Sequence, residues 1–137
     1  MIFAGVFLRA ENKAHLIFFF TFMWLRFFID TVFCDLKDIE RDKAEGCRTF
    51  PIILGVPRTL GILHGINILS FLLLFVFVAA RLLPLWLFPL TIIGFYTGSL
   101  LQKASRPGAH IGFLCDVAMD GEFVLWLPCA ALGILAQ

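Results

Sequence analysis

The chain has 137 residues, 61% of them hydrophobic and 15% charged, and its mean hydropathy is +0.95; an ordinary soluble domain is about 45–50% apolar and about 25% charged. This balance excludes such a domain and points to an integral, multi-pass α-helical membrane protein. A net charge of +1 leaves no concentrated basic face to neutralise phosphates, which excludes nucleic acid as a partner.

The opening MIFAGVFLRAENK carries a short apolar run before Arg9, with no basic segment ahead of it and no small-residue cleavage site behind it, so it is not a signal peptide. It reads as the end of a helix whose beginning is missing, and the chain is expected to be a C-terminal piece of something longer. Residues 14–34 form the first full span, interrupted by Arg26 and Asp30. Residues 59–80, 84–101 and 113–136 form three more, the last containing Asp116, Asp120 and Glu122. Each approaches the length of about 20 residues that crosses about 30 Å of hydrocarbon. Short connections make neighbours antiparallel. The expected fold is an all-α membrane protein: one partial domain over residues 1–137, an antiparallel transmembrane helix bundle of four full spans plus a truncated N-terminal helix.

Orientation follows from the basic residues. Lys37, Arg41, Lys43, Arg48 and Arg58 share the loop 35–58, and Lys103 and Arg106 fall on the same side; Arg9, Lys13 and Arg81 fall opposite. The positive-inside rule therefore places loop 35–58 in the cytoplasm. The cysteines at 34, 47, 115 and 129 have no ligand spacing and read as small packing residues. His15, His64 and His110 are scattered, and Asn67 and Ser70 read as interhelical hydrogen-bonding residues.

The informative stretch is DLKDIERD at 35–42. Asp35, Asp38 and Asp42 are spaced i, i+3, i+7, so a continuous helix aligns them on one stripe with Thr31 and puts Lys37, Glu40 and Arg41 on the far side. Like charges at i,i+4 cost a helix roughly 0.2–0.5 kcal/mol per pair, so a cation should offset them. Mg²⁺ fits, because it binds through a few carboxylates together with substrate phosphates. Lys43 and Arg48 follow, placed to grip phosphate oxygens. A solvated helix end that stops the chain sliding into lipid is the plainer reading of the same acids; the cations and the glycine–proline–glycine continuation favour a site.

The segment 28–55, FIDTVFCDLKDIERDKAEGCRTFPIILG, resembles the second aspartate-rich motif of the UbiA family of intramembrane prenyltransferases. That motif reads D-x-x-D-x-x-x-D, then K/R, a glycine, K/R-T and an apolar P-x-x-L-G. The three acids, Gly46, Arg48, Thr49, Pro51, Leu54 and Gly55 fall in register, and Asp120-Gly121 resembles the family's last span. The resemblance covers nearly the whole chain but half of the family's nine-helix fold, from the end of helix five to helix nine. The first aspartate-rich motif, N-D-x-x-D-x-x-x-D, is absent. Arg41 stands where relatives commonly have glycine and Asp30 where asparagine is frequent; Arg26, four residues earlier, is expected to neutralise Asp30.

The resemblance implies Mg²⁺-dependent transfer of an isoprenyl group from a prenyl diphosphate to an aromatic or other lipophilic acceptor. Asp38 and Asp42 are the implied catalytic residues and Mg²⁺ contacts, Asp35 a further metal ligand, and Lys43 and Arg48 the diphosphate-binding residues. The implied partners are the bilayer, the two substrates and a missing N-terminal half carrying the first motif, without which the chain is expected to be inactive. The alternative is a non-catalytic membrane protein or transporter half that uses the acidic stripe for a cation or partner, with Arg26, Asp30, Asp116, Asp120 and Glu122 as an ion path.

Overall fold

The structure is a computed structural model that describes residues 13–122, 124–126 and 128. In chain order these form α1 (Lys13–Cys34), α2 (Ile39–Ala44), α3 (Phe50–Leu54), α4 (Val56–Ala79), a 3₁₀ helix (Leu85–Leu90), α5 (Thr91–Ala104), the single turn α6 (Ile111–Phe113) and a π-helical segment (Leu114–Met119). Helix α1 has no glycine or proline in its 22 residues. It stops at Cys34, just before Asp35 and Asp38, a residue type that competes for the backbone in turns. Leu36 and Lys37 donate to the carbonyls of Phe33 and Cys34 at 3.1 and 3.2 Å, closing its last turn. Helices α3 and α4 each begin with a proline in the first turn, where its missing N–H costs nothing.

Two helices, Leu16–Cys34 and Val56–Ala79, are long and apolar enough to cross a membrane, and only 22% of the second is buried within the chain. The four-span bundle expected from the sequence is thereby corrected to a small, mostly helical domain with two candidate spans among the described residues. The expected third span, 84–101, is divided: Pro84 precedes the 3₁₀ helix and Pro89 lies inside it. Proline removes a backbone donor and clashes with the carbonyl four residues back, so an α-helix cannot run through. The α-helical remainder, α5, has 14 residues, about 21 Å at 1.5 Å per residue, short of the hydrocarbon thickness. The expected fourth span, 113–136, begins as one α-turn and a π-helical segment; residues 123, 127 and 129–137 lie outside the described residues, as does the expected N-terminal stub before Lys13. The expected loop 35–58 is itself mostly helical, holding α2, α3 and the start of α4.

Packing divides into two apolar clusters. One gathers Ile29, Phe33, Leu63, Leu101, Cys115 and Met119. The other gathers Phe18, Phe22, Leu74, Leu87, Ile93 and Trp126. Between them lie polar groups from the three long helices and beyond: Arg26 from α1, Asn67 and Ser70 from α4, Thr97 from α5, and Glu122 after the π-helical segment, all buried. A polar layer thus separates two apolar ones.

Helix α4 ends with Leu82 N–H on the Phe77 carbonyl at 2.9 Å and Arg81 N–H on Val78 at 3.0 Å, the paired bonds of a Schellman cap. The left-handed residue this cap needs is Arg81, at φ 56°, where a side chain costs roughly 1–2 kcal/mol. Arg81→Gly is expected to raise stability by about 1 kcal/mol, the steric relief less glycine's added chain entropy. Thermal unfolding in detergent reads it; an unchanged or lower midpoint would contradict the assignment.

Candidate metal centre

The acidic residues do not share one helix. Asp35 closes the last turn of α1, its N–H 3.2 Å from the Thr31 carbonyl, while Asp38 precedes α2 and its carbonyl accepts the Asp42 N–H at 2.8 Å. The break restarts the helical register at Ile39 and moves Arg41 off the far side where a continuous helix would put it. Its Nη2 lies 3.4 Å from Asp38 Oδ2 and 3.9 Å from Asp42 Oδ1. Lys37 turns away and pairs with Asp116. Lys43 lies 3.6 Å from Glu40. The three carboxylates do not gather as one ligand set, but their charges still act on one another: burial pushes the Asp35 carboxyl above the usual carboxylate range, and the charges of Asp42 and Asp38 push it further.

The end of α2 explains a second grouping. Cys47 N–H donates to the Asp42 carbonyl at 2.8 Å and Gly46 N–H to Lys43 at 3.2 Å, again a Schellman cap, with Gly46 at φ 74° as its left-handed residue. The cap folds the chain back, so that ligand atoms of Asp42, Glu45 and Cys47 lie within 4.8 Å of one another. Asp42 is 8% exposed, and Glu45 and Cys47 are on the surface. This cluster could hold a metal ion. Sequence reading missed Glu45 and took Cys47 for a packing residue; the signal for both was a glycine directly after a short charged helix.

Asp35 and Arg48 meet elsewhere. They line an open cavity of about 490 Å³ together with Trp24, Phe28, Thr31 and Thr49. Gly55, at φ 81° and ψ 154°, occupies a region open to little but glycine. It joins α3 to α4, and at the start of α3 the Phe50 ring meets Phe28 edge-on at 5.6 Å. The Thr49 hydroxyl is buried there without a hydrogen-bond partner. Lys43, Asp38 and Asp42 do not line this cavity.

The expected Arg26–Asp30 pairing is corrected. Arg26 reaches Glu122, Nε to Oε1 at 2.7 Å and Nη2 to Oε2 at 2.5 Å. Its Nη1 donates to Asn67 Oδ1 at 2.6 Å, and Thr97, which accepts from Nη2, donates to Glu122 Oε2 at 2.6 Å. Asn67 in turn donates to the Gly94 carbonyl at 3.0 Å, the interhelical role its position suggested. A guanidinium carries five donors in a fixed fork, and one neighbouring carboxylate cannot satisfy them; the polar layer does. Asp30 is left with a buried Oδ1 that makes no hydrogen bond. Asp116 and Asp120 are exposed, so the acids at 116, 120 and 122 divide into two surface groups and one buried ion pair.

No family model, curated protein or solved structure matches the chain.

Because folding raises the Asp35 pKa, protonation favours the folded state, and stability falls as pH climbs from the usual carboxylate value through the raised one. Asp35→Asn removes that loss. The variant is expected to unfold at a higher temperature than the parent at pH 7 and at the same temperature at pH 3; an equal difference at both would show the charge to be irrelevant.

Proposed function

We propose that the acidic loop captures an isoprenyl diphosphate with Mg²⁺, and that the chain is one part of a membrane prenyltransferase acting on an aromatic or other lipophilic acceptor. The observation that carries this reading is the aromatic cavity of about 490 Å³ bearing Asp35 and Arg48. An apolar slot with a charged rim suits an amphiphile whose head is anionic. The resemblance of segment 28–55 to the second UbiA motif supports the same assignment.

The donor type suits the metal. Asp35, Asp38 and Asp42 offer only oxygen donors, the preference of Mg²⁺, and the rise of the Asp35 pKa through Asp42 and Asp38 is the like-charge repulsion that a divalent ion relieves. When bound, Mg²⁺ would stabilise negative charge growing on the departing diphosphate. Arg48 would give two parallel hydrogen bonds to phosphate oxygens, and the buried Thr49 hydroxyl would gain a partner. Lys43, released from its surface pair with Glu40, would add a positive charge. The rings of Trp24, Phe28 and Phe50 would keep water from the prenyl chain and face positive charge on its first carbon. Asp35, Asp38 and Asp42 supply one side of such a site; a second aspartate-rich segment on another polypeptide stretch completes it, and the chain alone is inactive. Lys37, Arg41, Lys43 and Arg48, between the two spanning helices, orient this loop toward the cytoplasm.

The second reading is a non-catalytic membrane protein that binds a cation. The Asp42, Glu45 and Cys47 cluster favours it, because a thiolate selects a softer ion such as Zn²⁺. One experiment separates the two: uptake of labelled farnesyl diphosphate by the chain in proteoliposomes, titrated with Mg²⁺. Uptake that needs Mg²⁺ and disappears in Asp38→Ala supports the enzyme reading. Metal binding with no diphosphate uptake, with and without the upstream segment supplied, would replace it with the second.

A further inference from the structure

Two thiols on different elements meet beside the acidic loop. Cys34 is the last residue of α1 and half-buried. Cys115 is the second residue of the π-helical segment and 1% exposed. Both are free. Cys34 packs against the apolar cluster that contains Cys115, and the Cys115 thiol donates at 3.4 Å to the carbonyl of Phe33, the residue before Cys34. The Lys37–Asp116 ion pair, one residue beyond Cys115, ties the same two elements together. The segment carrying Cys115 is therefore anchored to the end of α1 at the sulfur and one residue beyond it.

We propose that Cys34 and Cys115 form an oxidisable dithiol, closed to a disulfide by hydroperoxides. The Cys34 thiol attacks the distal oxygen of the hydroperoxide, the O–O bond breaks, and an alcohol or water leaves with a sulfenic acid remaining on Cys34. The Cys115 sulfur then displaces that hydroxyl, the S–S bond forms, and the Cys115 proton departs with the oxygen as water. Two thiols lose two electrons and one peroxide bond gains them. The order of events follows from exposure: Cys34 is half-buried and Cys115 is 1% exposed, so the oxidant reaches Cys34 first. The product fixes the residue before Asp35 to a neighbouring element, so oxidation state is communicated to the acidic loop. This inference stands apart from the proposed prenyl transfer and survives its failure.

The test uses the full chain in vesicles with Cys47→Ser and Cys129→Ser, which leaves only the pair. Hydrogen peroxide and linoleic acid hydroperoxide are applied separately, because an aqueous and a lipid-borne oxidant share the chemistry; the faster arm identifies the source. The expected product lacks two hydrogens in the intact mass, maps to a Cys34–Cys115 peptide link and reverts with dithiothreitol. Cys115→Ser on this background is expected to accumulate a dimedone adduct on Cys34 at least tenfold above the parent pair. Two thiols still alkylated by N-ethylmaleimide after both oxidants, or Cys34 carried to sulfinic acid with no link to Cys115, would overturn the proposal. The disulfide measurement keeps both sulfurs, so it does not depend on a substituted core.

Discussion

Arg26→Ala is expected to destabilise the chain by about 3–5 kcal/mol, the cost of stripping one partner from a buried ion pair. Arg26 is 2% exposed and Glu122 4% exposed, and the substitution leaves the carboxylate with Thr97 as its remaining partner in the layer. Asn67 and Ser70 also lose a donor, and each unsatisfied buried group adds to the penalty. The converse substitution, Glu122→Ala, leaves an unpaired guanidinium in an apolar interior and is expected to cost as much. Replacing both partners by Arg26→Met with Glu122→Leu should recover most of the loss, because apolar groups of similar volume need no hydrogen bonds. Equilibrium unfolding in mixed micelles measures the parent and these three variants. A single-variant loss below about 1 kcal/mol, the scale of exposed pairs, would mean that water reaches the layer and the pair is not buried.

The second large effect concerns metal. Asp42 belongs to two candidate ligand sets, an oxygen set with Asp35 and Asp38 and a mixed set with Glu45 and Cys47, and the sets respond differently to substitution. Asp42→Asn is expected to weaken binding of any ion by more than ~100-fold, since loss even of an outer-sphere partner commonly costs about 10–100-fold. Cys47→Ser should leave Mg²⁺ binding unchanged and abolish tight Zn²⁺ binding; Asp38→Asn should do the reverse. Calorimetric titration of the reconstituted chain with each ion reads the four combinations. If Cys47→Ser weakens Mg²⁺ as much as Asp38→Asn does, the oxygen set is not the magnesium site and the prenyl-transfer reading loses its chemical basis.

The turns around the acidic loop were legible because local rules act there. The glycines at 46 and 55 and the prolines at 51 and 57 each have a backbone reason, and both of these glycines have positive φ. Three features were not legible, each for a physical cause. Asp35 and Asp42 were placed on one helical stripe because periodicity assumes an unbroken helix, and nothing in a hydrophobic count reports the turn at 35–38. The third span looked continuous because its composition is apolar throughout, whereas the two missing or misplaced donors at Pro84 and Pro89 decide the backbone. Arg26 was paired with Asp30 because four-residue spacing is the nearest available partner in sequence. The true partner is 96 residues away. A pattern did exist for it: each apolar stretch carries polar side chains near its middle, and a lone arginine in such company needs all of them.

That separation has a consequence for biogenesis. Arg26 leaves the ribosome long before Glu122, and at about 5–20 residues per second the intervening 96 residues take roughly 5–20 seconds to synthesise. During that interval the cation must stay hydrated or lean on Asn67, Ser70 and Thr97 as they successively emerge. The nascent polypeptide therefore cannot seal its interior until the anion arrives, and translation shortened before Glu122 yields a substrate for quality-control proteolysis rather than a smaller version of the protein.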